Sequence, residues 1–160
     1  MDAGIRAALW ADEEPLAEID RLTWSPATSP QLHRPAGRVF FSHGHEPDNV
    51  LVCDVDGAAV GYVALGPASR LASNAHVLAI HGLAVAPRYQ RRGIGRRLLA
   101  AAITEARRRR ARRLTLRVLA SNTRARRLYE SLGFEIEGVQ REEFLLEGRF
   151  VDDVLMALKL

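Results

Sequence analysis

The chain contains 160 residues, of which 48% are apolar and 26% are charged. These proportions suit one globular domain over residues 1–160 and exclude a disordered or fibrous protein. The single cysteine, Cys53, cannot form an internal disulfide, and the five histidines lack the spacing of zinc ligands, so we expect no metal. The first residues lack the pattern of a signal peptide, so we expect none, and the longest uncharged stretch, residues 71–87, is too short and polar to cross a bilayer. We therefore expect a cytoplasmic protein without a membrane partner.

The net charge of +4 conceals a strong asymmetry along the chain. Residues 88–127 contain 15 arginines and one acidic residue, Glu105, a balance of +14. The rest of the chain has 8 basic and 18 acidic residues, a balance of −10. A concentrated positive field attracts an anion, which could be a nucleic acid, an anionic membrane or a phosphorylated small molecule. Charge alone leaves these three classes open.

The first third of the chain predicts a strand, a helix and a long connection. The strand is expected at residues 5–10, and Asp12 is expected to cap the helix that follows. Three apolar residues recur there at helical spacing: Leu16, Ile19 and Leu22. Residues 23–48 hold four of the seven prolines and three of the five histidines, which predicts a connection with at most one short helix. Long connections of this kind often form the wall of a binding site.

Three strands are predicted next. Val50–Val55 and residues 58–65 are joined by Asp56-Gly57, a strong signal for a β-hairpin. The mostly apolar run Val77–Val85 predicts a strand that is buried on both faces.

The remaining elements complete a mixed α/β pattern. An amphipathic helix is expected at residues 95–113 and a strand at residues 114–119. Ser121 or Asn122 can cap a second, short helix that ends at Gly133. The closing strand pair is predicted at residues 134–139 and 153–160. The order of elements includes one strand–helix–strand crossover.

The segment Gln90-Arg91-Arg92-Gly93-Ile94-Gly95-Arg96 lies between a predicted strand and a predicted helix. Its two glycines let backbone N–H groups converge, and the helix N-terminus adds partial positive charge. The arginines would add charge-assisted contacts to phosphate. The spacing matches neither a dinucleotide fingerprint nor a Walker loop. From this segment alone, an anion cradle and an ordinary turn with solvated arginines are equally supported.

A second segment, residues 122–134, reads Asn-Thr-Arg-Ala-Arg-Arg-Leu-Tyr-Glu-Ser-Leu-Gly-Phe. Together with Gly82-Leu83-Ala84-Val85-Ala86-Pro87 and the glycine loop, in this order and spacing, it closely resembles the GNAT superfamily of acyl-CoA-dependent N-acyltransferases. The resemblance covers residues 80–134 by motif and the remainder by element order. It implies a GNAT-like α/β fold, in which about four helices flank a central twisted mixed sheet of six to seven strands.

The resemblance also implies acetyl-CoA as the cosubstrate. In the family, the amides of the loop hold the CoA pyrophosphate, and the backbone of the strand before it aligns the pantetheine arm. The asparagine after the next strand touches that arm, and the tyrosine of the Leu-Tyr pair lies near the thioester sulfur. Carried onto this sequence, the cofactor-binding residues are Leu83, Ala84, Val85, Arg91, Arg92, Gly93, Ile94, Gly95, Arg96, Asn122 and Tyr129.

Acetyl transfer needs a neutral amine, a polarised thioester and a proton for the departing thiolate. A backbone N–H near Leu83 could stabilise the oxyanion, and Tyr129 could supply the proton. The family often uses a Glu or a His on the strand before the loop, or a water chain, as the base, and this strand offers only His81. Core packing of Tyr129 and a structural role of His81 stay open as alternatives. Cys53 has no base beside it in the motif, so we expect direct attack without a covalent enzyme intermediate.

The C-terminal residues 141–156 resemble, more weakly, the tail of small-amine and amino-acid N-acetyltransferases. Aromatic and acidic residues from this tail and from the long connection could line the acceptor pocket: Trp24, Phe40, Phe41, Phe144, Phe150 and Asp152. The aromatic residues could equally pack the last strands. Glu142 and Glu143 could attract a cationic acceptor or lie solvated in a loop.

Several functions therefore compete. The favoured one is N-acetyl transfer to a small-molecule or amino-acid amine by direct attack in a ternary complex. The acceptor could instead be a protein N-terminus or a ribosomal protein. Two non-enzymatic alternatives are an acyl-CoA sensor and a nucleic-acid binder that uses residues 107–113. The closing strands could also pair across a two-fold axis in a homodimer.

Overall fold

The protein is described by a computed structural model that covers residues 3–31, 37–42 and 45–160. Its strands are Ala3–Ala7 (β1), Val50–Val55 (β2), Ala58–Pro67 (β3), Val77–Val85 (β4), Arg113–Leu119 (β5), Glu135–Leu146 (β6) and Arg149–Lys159 (β7). Its α-helices within these residues are Glu13–Thr23 (α1), Ile94–Arg108 (α2) and Thr123–Ser131 (α3). The strands form one sheet in the order β1-β2-β3-β4-β5-β7-β6. The predicted mixed α/β fold is confirmed, with three α-helices in the described residues where about four were expected.

Helices cover both faces of this sheet. Side chains of α2 and α3 pack with one face, whose core includes Leu65, Leu98 and Leu114. The other face packs with α1 and with aromatic residues of the long connection. Only the β4–β5 pair is parallel among the strand pairs that the structure describes. No helix in the described part of the chain is long and apolar enough to cross a membrane.

The β2–β3 hairpin forms at the predicted turn. Asp56 and Gly57 both have positive φ values, 52° and 84°, as a two-residue turn of the primed type requires. Val55 pairs with Ala58 across the turn, and the Asp54 carboxylate accepts the Gly57 N–H at 2.8 Å. The Asp-Gly signal therefore predicted both the position and the conformation of the turn.

Helix α3 also has the predicted ends. Its cap is Asn122, whose side-chain oxygen accepts the Ala125 N–H at 3.2 Å. At the other end Gly133 has a φ of 96°, and the Phe134 N–H donates to the Tyr129 carbonyl at 3.2 Å. The rings of Tyr129 and Phe134 lie 5.8 Å apart. This Schellman motif and its apolar contact fix the last turn of the helix, where Tyr129 is found.

Helix α2 is shorter than predicted and ends at Arg108 rather than at residue 113. Arg110 has a φ of 60°, and the Ala111 N–H donates to the Ala106 carbonyl at 3.0 Å, which closes a Schellman motif without glycine. The Arg112 N–H then donates to the His76 carbonyl at 2.8 Å, just before β4. Residues 109–112 therefore leave the helix and lead into β5, which pairs with β4, although arginine has a high helix propensity.

Three predictions near the N-terminus are wrong. β1 ends at Ala7, and Trp10–Asp12 form a 3₁₀ turn, because the Asp12 carboxylate accepts the Leu9 N–H at 2.8 Å. The same carboxylate binds the Arg6 guanidinium at 2.7 Å, which lowers the pKa of Asp12, and it makes no cap bond to α1. Leu22 is 49% exposed, so the apolar stripe of α1 ends at Ile19.

The closing strands are longer than predicted, with 12 residues in β6 and 11 in β7. They meet at Glu147 and Gly148, which have φ values of 48° and 75°. Most β6 side chains are exposed at the edge of the sheet, so this strand carries little apolar periodicity. The long connection contains a 3₁₀ turn at Pro47–Asn49, and its residues 32–36 and 43–44 lie outside the described residues.

Candidate active site

A split in the sheet opens into a large cleft. β4 and β5 pair over three positions only, the last of which joins Ala79 to Thr115. Beyond this position β4 keeps its pairing with β3 as far as Val85, and β5 keeps its pairing with β7. The facing edges of β4 and β5 therefore separate, and a cleft of about 1240 Å³ opens beside them. Residues of β4, β5, β7 and all three helices line it, together with part of the long connection.

The glycine loop lies at one end of this cleft. Gly93 precedes α2 in a left-handed conformation, with φ 79° and ψ 2°, and no side chain caps the helix. The Arg97 N–H donates to the Gly93 carbonyl at 3.1 Å. The amides of residues 94–96 have no earlier helical carbonyl to bind, and the helix dipole adds positive potential there. This geometry suits an anion.

The structure brings most of the predicted loop residues to the cleft, namely Arg91, Gly93, Ile94, Gly95 and Arg96. Arg92 lies outside the cleft lining, and its guanidinium stacks over the Tyr89 ring at 5.6 Å. Arg96 binds the Ser131 hydroxyl at 2.8 Å, which connects α2 with α3.

The three predicted pantetheine-binding residues, Leu83, Ala84 and Val85, line the cleft on the part of β4 that β5 does not pair. The side-chain amide of Gln90 donates to the Val85 carbonyl at 2.9 Å and accepts from Arg124 at 3.2 Å. Gln90 thereby ties the loop to β4 and α3. Sequence reasoning assigned it no role, because a glutamine beside arginines carries no local signal for such a bond.

Asn122 and Tyr129 line the cleft from α3 and the residue before it. Tyr129 is 8% exposed, and its hydroxyl makes no hydrogen bond to any described residue. Burial raises the pKa of Tyr129 to about 12. At neutral pH the phenol therefore stays protonated, so it is available as a proton donor.

His81 lies on the α1 side of the sheet, at an irregularity of the β3–β4 pairing. Its Nε2 is 3.7 Å from the position that a Cβ would take on Gly66, which shows that the ring lies over that glycine. The His45 ring packs edge-on against it, with centroids 5.6 Å apart. Sequence reasoning missed His45, since the two histidines lie 36 positions apart in the chain and no pattern links them.

Three of the six proposed acceptor residues, Trp24, Phe40 and Phe144, line the cleft. Phe40 packs edge-on against Tyr62 at 4.8 Å, and the Tyr62 hydroxyl donates to Asp20 of α1 at 2.8 Å. Tyr62 and Asp20 also line the cleft, although sequence reasoning did not select them.

The other three acceptor candidates lie outside the cleft lining. Phe41 is buried in the core on the α1 side, and Phe150 is 65% exposed on β7. The Asp152 carboxylate accepts the Glu142 N–H at 2.8 Å, in the irregular part of β6. Because side chains alternate along a strand, the neighbouring Asp153 faces the cleft instead.

Cys53 is fully buried in β2, away from the cleft lining. Burial raises the pKa of this thiol, which favours the unreactive protonated form. The environment therefore offers no support for a cysteine nucleophile.

Several arginines of residues 107–113 form ion pairs with other residues of the fold. Glu105 binds Arg108 and Arg109, each at 2.7 Å, and the hydrogen bond from Arg108 is the main cause of a Glu105 pKa of about 2. Arg109 also donates to the Asn49 side chain, and Arg113 binds Glu137. These contacts reduce the charge that this run offers to a nucleic acid.

The profile of the acetyltransferase (GNAT) family matches residues 14–134, and the chain belongs to this family. The [ribosomal protein bS18]-alanine N-acetyltransferase of Escherichia coli K12 is 41% identical over 81 residues, which cover 51% of this chain and 55% of that enzyme. The L-methionine sulfoximine/L-methionine sulfone acetyltransferase of Salmonella typhimurium LT2 is 32% identical over 111 residues, 69% of this chain and 64% of that protein. The chain thus aligns with little more than half the length of the bS18 enzyme.

A solved structure extends the similarity to the whole fold. Salmonella typhimurium yncA, determined with its cofactor acetyl-CoA, has a TM-score of 0.82 and 25% sequence identity. The comparison covers 100% of this chain and 95% of that chain. The family predicted from the three motifs is therefore confirmed.

Proposed function

We propose that this protein transfers the acetyl group of acetyl-CoA to the primary amine of a small molecule or amino acid. The observation that carries the proposal is the split between β4 and β5, which leads to the uncapped N-terminus of α2. An elongated anionic molecule fits this arrangement, because unpaired strand backbone lies at one end and convergent amides lie at the other. The similarity to yncA, solved with acetyl-CoA, supports the same cofactor here.

Acetyl-CoA would supply the acetyl group and a thiolate leaving group. In this proposal the amides of residues 93–96, with Arg91 and Arg96, hold the pyrophosphate. The backbone of residues 83–85 and the Asn122 amide align the pantetheine arm. A backbone N–H of β4 near Leu83 stabilises the negative charge that develops on the carbonyl oxygen.

Two side chains move protons in this proposal. Tyr129 donates to the departing sulfur, because its pKa of about 12 keeps the phenol protonated. His81 accepts the proton of the attacking amine through water, from the α1 side of the split. Both attack and departure then occur without a covalent enzyme intermediate, in keeping with the burial of Cys53.

Two relatives support two different classes of acceptor. The Salmonella relative named for methionine sulfoximine and methionine sulfone supports an amino-acid acceptor. The bS18-alanine relative supports a protein N-terminus as the second candidate. A homodimer and a cytoplasmic location stay predictions.

We expect acetyl-CoA to yield free thiol only when a suitable amine is present. The test is a panel of L-amino acids, small amines and N-terminal peptides, with free-thiol detection and a control without acceptor for slow hydrolysis. Turnover with peptides alone would favour the second candidate. Stabilisation by acetyl-CoA without turnover on any amine would identify a sensor, and stabilisation by an oligonucleotide instead would favour the nucleic-acid binder.

Replacing His81 with alanine is expected to lower kcat/KM for the amine by about 10- to 100-fold. A protonated imidazole cannot accept a proton, so activity of the unmodified protein should fall at acidic pH, and this fall should disappear in the variant. The measurement is kcat/KM as a function of pH. His76→Ala is the matched control, since His76 is exposed just before β4 and lies outside the cleft lining. An unchanged pH profile in His81→Ala would discard the assignment.

A further inference from the structure

Arg117 extends from β5 into the half of the cleft that lies on the α1 side. Leu116 and Val118 belong to the core under α2, so the alternation of β5 directs Arg117 to the opposite face. Ala79 and Thr115 form the last position at which β4 and β5 pair.

Arg117 and His81 both lie two residues beyond that last pair, one on each side of the opening. Both also line the cleft. An arginine therefore lies on the strand across the split from the proposed base, on the α1 side of the sheet, and its guanidinium is bonded to residues of β7 and β6.

Side chains of β7 and β6 orient the Arg117 guanidinium, but they do not bind all of its N–H donors. Its Nε donates to Asp153 Oδ2 at 2.5 Å, and its Nη2 donates to Gln140 Oε1 at 2.6 Å. The same Nη2 lies 4.0 Å from Glu143 Oε1, a partly exposed carboxylate. Asp153 is only 3% exposed, whereas 54% of the Arg117 side chain is exposed. Its Nη1 has no hydrogen-bond partner among residues 3–31, 37–42 and 45–160. A rigidly held guanidinium with free donors is well suited to bind a carboxylate.

The pyrophosphate of the cofactor is an unsuitable partner for these donors. The proposed cradle lies at the N-terminus of α2, and α2 packs on the opposite face of the sheet from Arg117. Asp153 and Glu143 lie at Nε and Nη2, so a carboxylate that enters with the acceptor would bind at Nη1. An α-amino acid carries its amine and carboxylate on the same carbon, so binding of the carboxylate at Arg117 would hold the amine beside the split and towards His81.

We propose that Arg117 binds the α-carboxylate of the acceptor, which makes a free α-amino acid the substrate class. This inference rests on the proposed acetyltransferase function and narrows it. It disfavours a protein N-terminus, because the first residue of a protein has its carboxyl group in a peptide bond. Asp153 is the positioning residue that orients the guanidinium, and Glu143 is a second, more distant carboxylate beside it.

The test compares the common L-amino acids with their α-carboxamides, which keep the amine and lose the negative charge. We expect the full-length protein to prefer the best amino acid over its carboxamide by at least about 10-fold in kcat/KM. Arg117→Gln should lower kcat/KM for the amino acid by a similar factor, chiefly by raising KM. The same variant should leave the value for the carboxamide within about threefold, so that the preference is lost.

Two further variants make the result decisive. Arg113→Gln changes an arginine on the same strand and face that lies outside the cleft lining, although its ion-pair partner Glu137 belongs to the lining. This variant should keep the preference. Because Arg117→Gln leaves the Asp153 carboxylate buried without its partner, the double variant Arg117→Gln/Asp153→Asn offers a neutral pair if the single variant fails to fold. It should also lose the preference.

Equal use of amino acids and carboxamides, or a preference that persists in the Arg117 variants, would overturn this inference and leave the acetyltransferase function standing. Absence of thiol release with every acceptor would overturn both.

Discussion

Replacement of Tyr129 by phenylalanine is expected to lower kcat by about 100- to 1000-fold, the range typical of a lost general acid. The variant keeps the ring, and therefore its packing against Phe134, but has no proton to give to the departing sulfur. Because the hydroxyl makes no hydrogen bond to any described residue, its removal should change the melting temperature little. The dissociation constant for acetyl-CoA should stay within about twofold, since the phenol acts on the reacting atoms rather than on the pyrophosphate.

The measurements are kcat at saturating substrates by free-thiol detection, and the dissociation constant by calorimetry. The raised pKa adds a second check. A donor with a pKa of about 12 remains protonated up to pH values well above the ordinary tyrosine value of about 10. Activity of the unmodified protein should therefore not decline as pH rises from about 8 to about 10 on account of this group. A kcat of Tyr129→Phe within about threefold of the unmodified protein would assign the proton to another donor.

Replacement of Gly93 by valine is expected to weaken acetyl-CoA binding by at least about 10-fold. A β-branched residue does not adopt a φ of 79° without strain, so the loop should change conformation and turn its amides away from the anion. The nearest atoms around a Cβ at this position lie beyond 4 Å, so the effect would come from the backbone rather than from a side-chain clash. Calorimetric titration with acetyl-CoA measures the loss.

Gly57→Val is the matched control for this loop variant. Gly57 has a φ of 84° and equally open surroundings, but it lies in the β2–β3 turn, outside the cleft lining. Both variants should lower the melting temperature, whereas only Gly93→Val should weaken acetyl-CoA binding. Equal affinities in the two variants would show that the left-handed residue before α2 does not shape the cofactor site.

Local signals predicted the parts of the fold that neighbouring residues determine. Asp56-Gly57 fixed a turn through backbone preference, and Asn122 and Gly133 fixed the ends of α3 through capping bonds. The half of the cleft proposed for the cofactor is built largely from one continuous stretch between β4 and α3. Motifs within this stretch therefore indicated most of the residues that line this half. Among the predicted cofactor-binding residues, Arg92 is the one that lies outside the lining.

The acceptor half could not be predicted in the same way, because distant segments form it. The pairing of β7 with β5 places Val154 and Met156 in the core on the α2 side, so the alternation of β7 turns Asp153 rather than Asp152 towards the cleft. Phe40 and Phe41 are adjacent in sequence, yet only Phe40 lines the cleft. Arg117 was counted only as part of the basic segment, since its significance depends on Asp153 and Gln140 from two other strands.

In the proposed arrangement, the short β4–β5 pairing lets the main chain of β4 bind the cofactor while its side chains on the α1 side face the acceptor. Main-chain groups on the open edge of β4 are the same for any amino acid, so recognition of the cofactor arm there would not depend on which side chains the strand carries. The side chains of β4 that point towards α1 would then not be needed for cofactor binding. A change of acceptor could thus arise by substitutions at residues such as His81 while the cofactor continues to bind in the same register.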